Sequence, residues 1–216
     1  MSEANMPSIA DQTIGGFLQV LGSDSPTPGG GATGAVSGAA GCALISMVAS
    51  LTIGKKGFDD VEGRMRELKE RADTARAELL RLADADAHAF DGVMVAFKMP
   101  KETDEQKAAR SAAIQVGYEE AALVPLDVAR RAVDLMALAE DATAMGNPQA
   151  ASDGLSAASM LYAGALCAIA NVEINAAALK DPQRRAKLLD EVAGLKTHAD
   201  ACLGESQTAF ELRLSS

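Results

Sequence analysis

Along most of the chain, apolar side chains return every three or four residues, the spacing that places them on one face of an α-helix. Between residues 58 and 98 they are Val61, Met65, Leu68, Ala72, Ala75, Leu79 and Leu82, then Phe90, Val93 and Phe97. Steps of four and three alternate, as in a helix packed within a bundle. A second stripe crosses residues 104–145 as Ala112, Val116, Glu119, Leu123, Leu126 and Val133, with Pro125 placed to kink it. Residues 10–22 predict a short amphipathic helix, and residues 183–214 a long, charge-rich strut. Thr103, followed three residues later by Gln106, forms a capping box for the helix beyond it, and Asp181-Pro182 separates the last two helices.

Two segments break this alternation by having almost no polar face. Residues 25–54, SPTPGGGATGAVSGAAGCALISMVASLTIG, carry no charge and predict a helix over about 28–53, with Thr27 as N-cap and Pro28 at its first position. Gly30, Gly34, Gly38 and Gly41 share one face of it. An interior glycine costs roughly 1 kcal/mol against alanine, so a row of them needs a packing or functional reason. A membrane span with GxxxG packing fits poorly, because the large apolar residues lie almost entirely in the C-terminal half. Gly29, Gly31 and Gly34 match a dinucleotide-binding GxGxxG, but SDSPTP precedes them instead of a strand. The remaining reading is a buried helix at the centre of a bundle, its N-terminal N–H groups facing a pocket. The second segment, residues 154–172 (GLSAASMLYAGALCAIANV), predicts a similar helix. On it Asp153, Ala157, Met160, Gly164, Cys167, Asn171 and Ile174 share a face. The outline is one all-α domain spanning residues 1–216, an antiparallel bundle of about six helices, several of them long. Helices so poor in polar surface also predict a homodimer.

Composition sharpens this picture. Aromatic residues make up 3% and Trp is absent, which suits an all-α fold. A net charge of −10 argues against a nucleic-acid partner and fits a cytoplasmic protein. Cys42, Cys167 and Cys202 lack metal-ligand spacing and read as buried free thiols in a reducing compartment. His88 and His198 stand apart, so no metal centre is expected. The opening MSEANMPSIADQ lacks a basic segment followed by an apolar run, so no leader peptide is expected.

Chemistry enters where the long stripe fails. Four residues after Leu82 the pattern asks for an apolar side chain, and Asp86 stands there, with Asp84 just off the stripe. A buried carboxylate loses several kcal/mol of solvation, so it needs an ion-pair partner, a pocket or a raised pKa. Asp86 is therefore either one half of a bridge to a neighbouring helix or a functional acid. Asp153 reads as a helix cap or a ligand-binding acid. Asn171 reads as a buried amide bonded across the bundle or a binding group. Lys55 and Lys56 either complement a helix C-terminus or bind an anion.

SPTPGGGATGAVSGAAGCALISMVASLTIGKK, DADAHAF, MPKETDEQKAAR, VPL, MGN-x₄-SD and N-x₃-N, in this order, resemble the formiminotransferase-cyclodeaminase family over about residues 12–212. Within the family, the LTIGKK and DEQKAAR segments and the stand-alone length are most similar to the methenyltetrahydrofolate cyclohydrolases of the serine cycle. Two positions depart from the family pattern: Glu102 replaces the Asn of PKNT, and Ala151 replaces the Arg that precedes SD in the bifunctional enzymes. The resemblance implies an all-α homodimer that acts on a tetrahydrofolate derivative without metal or cofactor, away from membranes and nucleic acids. It implies hydrolysis of 5,10-methenyltetrahydrofolate to 10-formyltetrahydrofolate. The alternatives are cyclodeamination of 5-formiminotetrahydrofolate and a non-catalytic folate-binding protein. Asp86 is the expected catalytic acid–base group, with Asp84 second. Lys55 is expected to take part in catalysis and Lys56 in substrate binding, one of them binding the glutamyl carboxylates or holding the emerging formyl oxygen. Pro28, Gly29, Gly30 and Gly31 are expected to form a binding turn, with Asn147, Asp153 and Asn171 reading the pterin.

Overall fold

The computed structural model describes residues 7–215, so the first half of the segment read as lacking a leader lies outside the described residues. Six α-helices follow one another: α1 (Ile14–Leu21), α2 (Gly30–Ser50), α3 (Glu62–Phe97), α4 (Asp104–Met145), α5 (Ala151–Ala177) and α6 (Pro182–Leu214). Short 3-10 turns occupy Ile9–Asp11 and Pro148–Ala150, and no strand occurs among the described residues. The expected all-α bundle is what forms.

Local signals set most boundaries. Thr103 and Gln106 make the reciprocal capping box at the start of α4, and the Asp181 carboxylate accepts from the N–H groups of Gln183 and Arg184 to open α6. Gly54 and Gly57, both at positive φ, carry the chain away from the end of α2. The start of α2 differs from expectation. Thr27 does not cap it; the helix begins at Gly30 with Gly29 in the cap position, and no side-chain cap bond comes from Gly29. The first turn instead finds its acceptor on another helix, as described below.

Helix α2 lies at the centre, packed by α3, α4 and α5, while α6 covers α4 and α5. Both α2 and the segment Pro148–Ala177 are long and apolar enough to cross a membrane by length and composition; here they pack against each other. The glycine face has a packing cause. A Cβ on Gly34 would stand 2.8 Å from the Gly164 carbonyl oxygen, and one on Gly164 would stand 2.6 Å from that of Gly34. The two backbones touch, so neither position admits a side chain.

The stripe expected on α4 holds only in its second half. Leu126 and Val133 are buried, but Ala112 and Leu123 are exposed and Val116 is 54% exposed. The buried surface there consists of Gly117, Ala121 and Ala122, small residues that a search for bulky side chains overlooks. On the expected α5 face Ala157 and Gly164 are buried, but Ile174 is 69% exposed, and burial also runs through Ala158, Leu161, Ala165 and Ala168. Helix α4 continues through Pro125, which is buried. Cys42 and Cys202 are buried and Cys167 partly so, all as free thiols, with burial pushing the Cys42 pKa up to about 12.

Candidate active site

A cavity of about 630 Å³ opens where the N-terminus of α2 meets α3, α4 and the end of α5. Its size falls within the range of small-molecule sites. Asp86 and Phe90 face it from α3, Tyr118 and Ala121 from α4, and Asn171 and Asn175 from α5, with Gly29 and Gly30 as its floor. Among the described residues no lysine or arginine lines it.

Asp86 reaches the first turn of α2. A methyl group on Gly31 would overlap both carboxylate oxygens, so glycine is what lets this side chain lie against the helix end. The Ala32 N–H faces the same carboxylate. Asp86 thus fills the acceptor role that Gly29 cannot supply. Burial nevertheless dominates: loss of solvation raises the Asp86 pKa from 3.8 to about 6, with the Ala32 N–H pulling the other way. Among the described residues no cationic side chain forms an ion pair with it, so the bridge that the stripe left open does not form. Asn171 occupies the equivalent place on Gly30, where a Cβ would stand 2.9 Å from its Nδ2.

Asp84 points elsewhere. Its carboxylate accepts from the Ser8 hydroxyl at 2.6 Å and from the Ile9 N–H at 2.8 Å, tying the N-terminal segment to α3. Pro28 and Asp84 border a separate, smaller hollow of about 230 Å³. The remaining expected residues gather at the opposite end of α2. Lys55 and Lys56 are exposed in the turn beyond it. Asn147 is buried there; its N–H donates to Thr52 Oγ1 at 2.9 Å and its Oδ1 accepts from the Gln149 N–H at 3.2 Å. Asp153 sits in the first turn of α5. The 21 residues of α2 separate this group from Asp86 by about 30 Å at 1.5 Å per residue. Within one chain, Asp86, Gly29, Gly30, Gly31 and Asn171 come together, and Lys55, Lys56, Asn147 and Asp153 do not join them.

Tyr118, Phe90 and Asn175 are cavity residues to which sequence reasoning assigned no site role, although Phe90 stands on the apolar stripe and Asn175 is the second Asn of N-x₃-N. Asn175 had a signal: it stands four residues after Asn171, one turn along the same helix face. Among the described residues no group of three or more His, Cys, Asp or Glu is placed to hold a metal ion.

A helical bundle with an unpaired, protonation-tuned carboxylate over a glycine turn defines a class that comparison identifies: residues 13–194 match the formiminotransferase-cyclodeaminase family, and the chain belongs to it. The chain is 42% identical to the methenyltetrahydrofolate cyclohydrolase of Methylorubrum extorquens, covering 88% of this chain and 92% of that protein. It is 37% identical to the formimidoyltransferase-cyclodeaminase of Mus musculus, covering 97% of this chain but 37% of that longer protein. The crystal structure of formiminotetrahydrofolate cyclodeaminase from Thermotoga maritima superposes with a TM-score of 0.84 at 34% identity, covering 94% of this chain and 98% of that one.

Proposed function

We propose that the protein hydrolyses 5,10-methenyltetrahydrofolate to 10-formyltetrahydrofolate, with Asp86 as its acid–base group and no metal or cofactor. The observation that carries this reading is a carboxylate with a pKa near 6 on an uncharged cavity wall. The substrate bears an amidinium cation, N5–CH=N10⁺. At about 4 Å and an effective dielectric of about 20, a carboxylate gains about 4 kcal/mol from that charge, which offsets part of its own desolvation. Water attacks the bridging carbon, and Asp86 accepts the proton as the new C–O bond forms. The neutral tetrahedral intermediate then collapses. Protonated Asp86 returns its proton to N5, the C–N5 bond breaks, and the oxygen releases its remaining proton to solvent as the formyl group forms on N10. A pKa near 6 suits a group that must both take and give a proton near neutrality. The first-turn N–H groups of α2 lack intrahelical acceptors and border the space where the oxygen develops.

The test is loss of methenyltetrahydrofolate followed by absorbance, above its spontaneous hydrolysis. The Thermotoga relative favours a second reading, cyclodeamination of 5-formiminotetrahydrofolate. Ammonia release from that substrate, with no catalysed loss of the methenyl compound, selects it.

The working form in this reading is a cytoplasmic homodimer. The outward side of α2, from Val36 through Ala40, Leu44 and Met47 to Leu51, carries no charge, and Met160 and Ala163 of α5 continue it. A two-fold axis across this face sets the two α2 helices antiparallel. Such pairing carries the partner's Lys55 and Lys56 toward the Asp86 cavity, which has no cation of its own for the glutamyl carboxylates of a folate. Asn147 and Asp153 lie at that same end of α2.

A further inference from the structure

Helix α5 presents two carboxamides to the cavity one turn apart, and both have their nitrogens committed. Asn171 Nδ2 donates to the Cys167 carbonyl at 2.8 Å. Asn175 Nδ2 donates across to the Ala121 carbonyl of α4, also at 2.8 Å. That carbonyl is free for a reason written in the chain. In an α-helix the acceptor at position 121 takes the N–H of position 125, and residue 125 is proline, which has none. Asn175 supplies the missing donor. Because a carbonyl can only accept, the amide orientation follows from chemistry: the NH₂ turns to Ala121, leaving Oδ1 as the free end. No described side chain or backbone group donates to that oxygen, and Asn175 borders the cavity.

We propose that Asn175 is a specificity-determining residue, its Oδ1 accepting a hydrogen bond from the 2-amino group of the substrate's 2-amino-4-oxopyrimidine ring. This inference rests on the folate reading above and assigns where the ring lies. The ring enters between α4 and α5, flanked by the Tyr118 and Phe90 rings, while the one-carbon bridge reaches Asp86 across the cavity. A site that fixes an acceptor in advance rejects a ligand lacking the matching donor, because the acceptor is then left unpaired.

The test uses equilibrium binding of tetrahydrofolate and of its 2-desamino-2-methyl analogue to the full-length protein, which requires no turnover. Wild-type protein is expected to bind the analogue about tenfold more weakly or worse. Asn175→Ala should bind the two alike, while its kcat for the methenyl substrate stays within about threefold of wild type and its KM rises. Asn175→Asp keeps an acceptor oxygen but loses the NH₂ that pairs with the Ala121 carbonyl, so it should recover only part of the preference for the amino compound. Wild-type protein that binds the two ligands alike, or a preference that survives Asn175→Ala, overturns the assignment. Tetrahydrofolate binding with this pattern but without methenyl hydrolysis would retire the proposed reaction and leave Asn175 in place. No binding of either ligand to wild-type protein would remove both.

Discussion

At the scale of single residues, Asp86 sets activity against stability. Its folded pKa, about 6, lies above the usual 3.8, so the folded state holds the proton more tightly than the unfolded one. Stability from this group is complete below pH 4 and is lost as the pH rises through 6. Asp86→Asn removes the charge at constant shape. It should therefore raise the unfolding temperature at pH 7–8 and lose that advantage near pH 4, as calorimetry at the two pH values would show. The rate carries the opposite sign. Attack by water needs the ionised form, so kcat/KM, which reports the free enzyme, should climb with pH to half its plateau near 6 and flatten above it. A pH–rate profile level from 5 to 8 would contradict that base. Asp86 was legible because it interrupts an apolar stripe, which makes a buried charge visible as a missing hydrocarbon. Asp84, two residues away, gave no such cue; its engagement by Ser8 and Ile9 depends on a segment distant in the chain.

At the scale of helices, the small residues of α2 serve two ends. Gly34 lets α2 and α5 touch backbone to backbone, and Gly31 lets Asp86 lie on the helix terminus. Gly164→Leu has no free volume to enter and should destabilise the fold by about 3 kcal/mol or more, read from denaturant unfolding. Gly31→Ala should act on the chemistry instead, lowering kcat about tenfold or more as the carboxylate is pushed away, with a smaller change in unfolding midpoint. The long helices were readable from their periodicity and caps, and the α4 start fell where Thr103 and Gln106 put it. What escaped was small-residue burial. Gly117, Ala121 and Ala122 carry too little hydrocarbon to make a stripe, so the first half of α4 was assigned the wrong inward face. The true start of α2 was hidden for a related reason: its capping group comes from α3, which no local signal announces.

At the scale of the whole molecule, the expected binding set splits between the two ends of α2. The separation follows from 1.5 Å per residue between Gly29 and Lys55, so it was present in the sequence as arithmetic. What no single chain encodes is whether a second copy closes the gap. In solution the protein should show twice the 22.2 kDa chain mass by light scattering. Met47→Glu, which places a charge at the middle of the uncharged face, should yield monomers with loss of hydrolysis. Monomeric wild-type protein with full activity would refute the dimeric site. The most direct measurement for the whole account is turnover of methenyltetrahydrofolate by Asp86→Asn, with folate affinity measured on the same preparation. The account predicts a fall in kcat of about a hundredfold or more at nearly unchanged affinity; turnover close to wild type would contradict it.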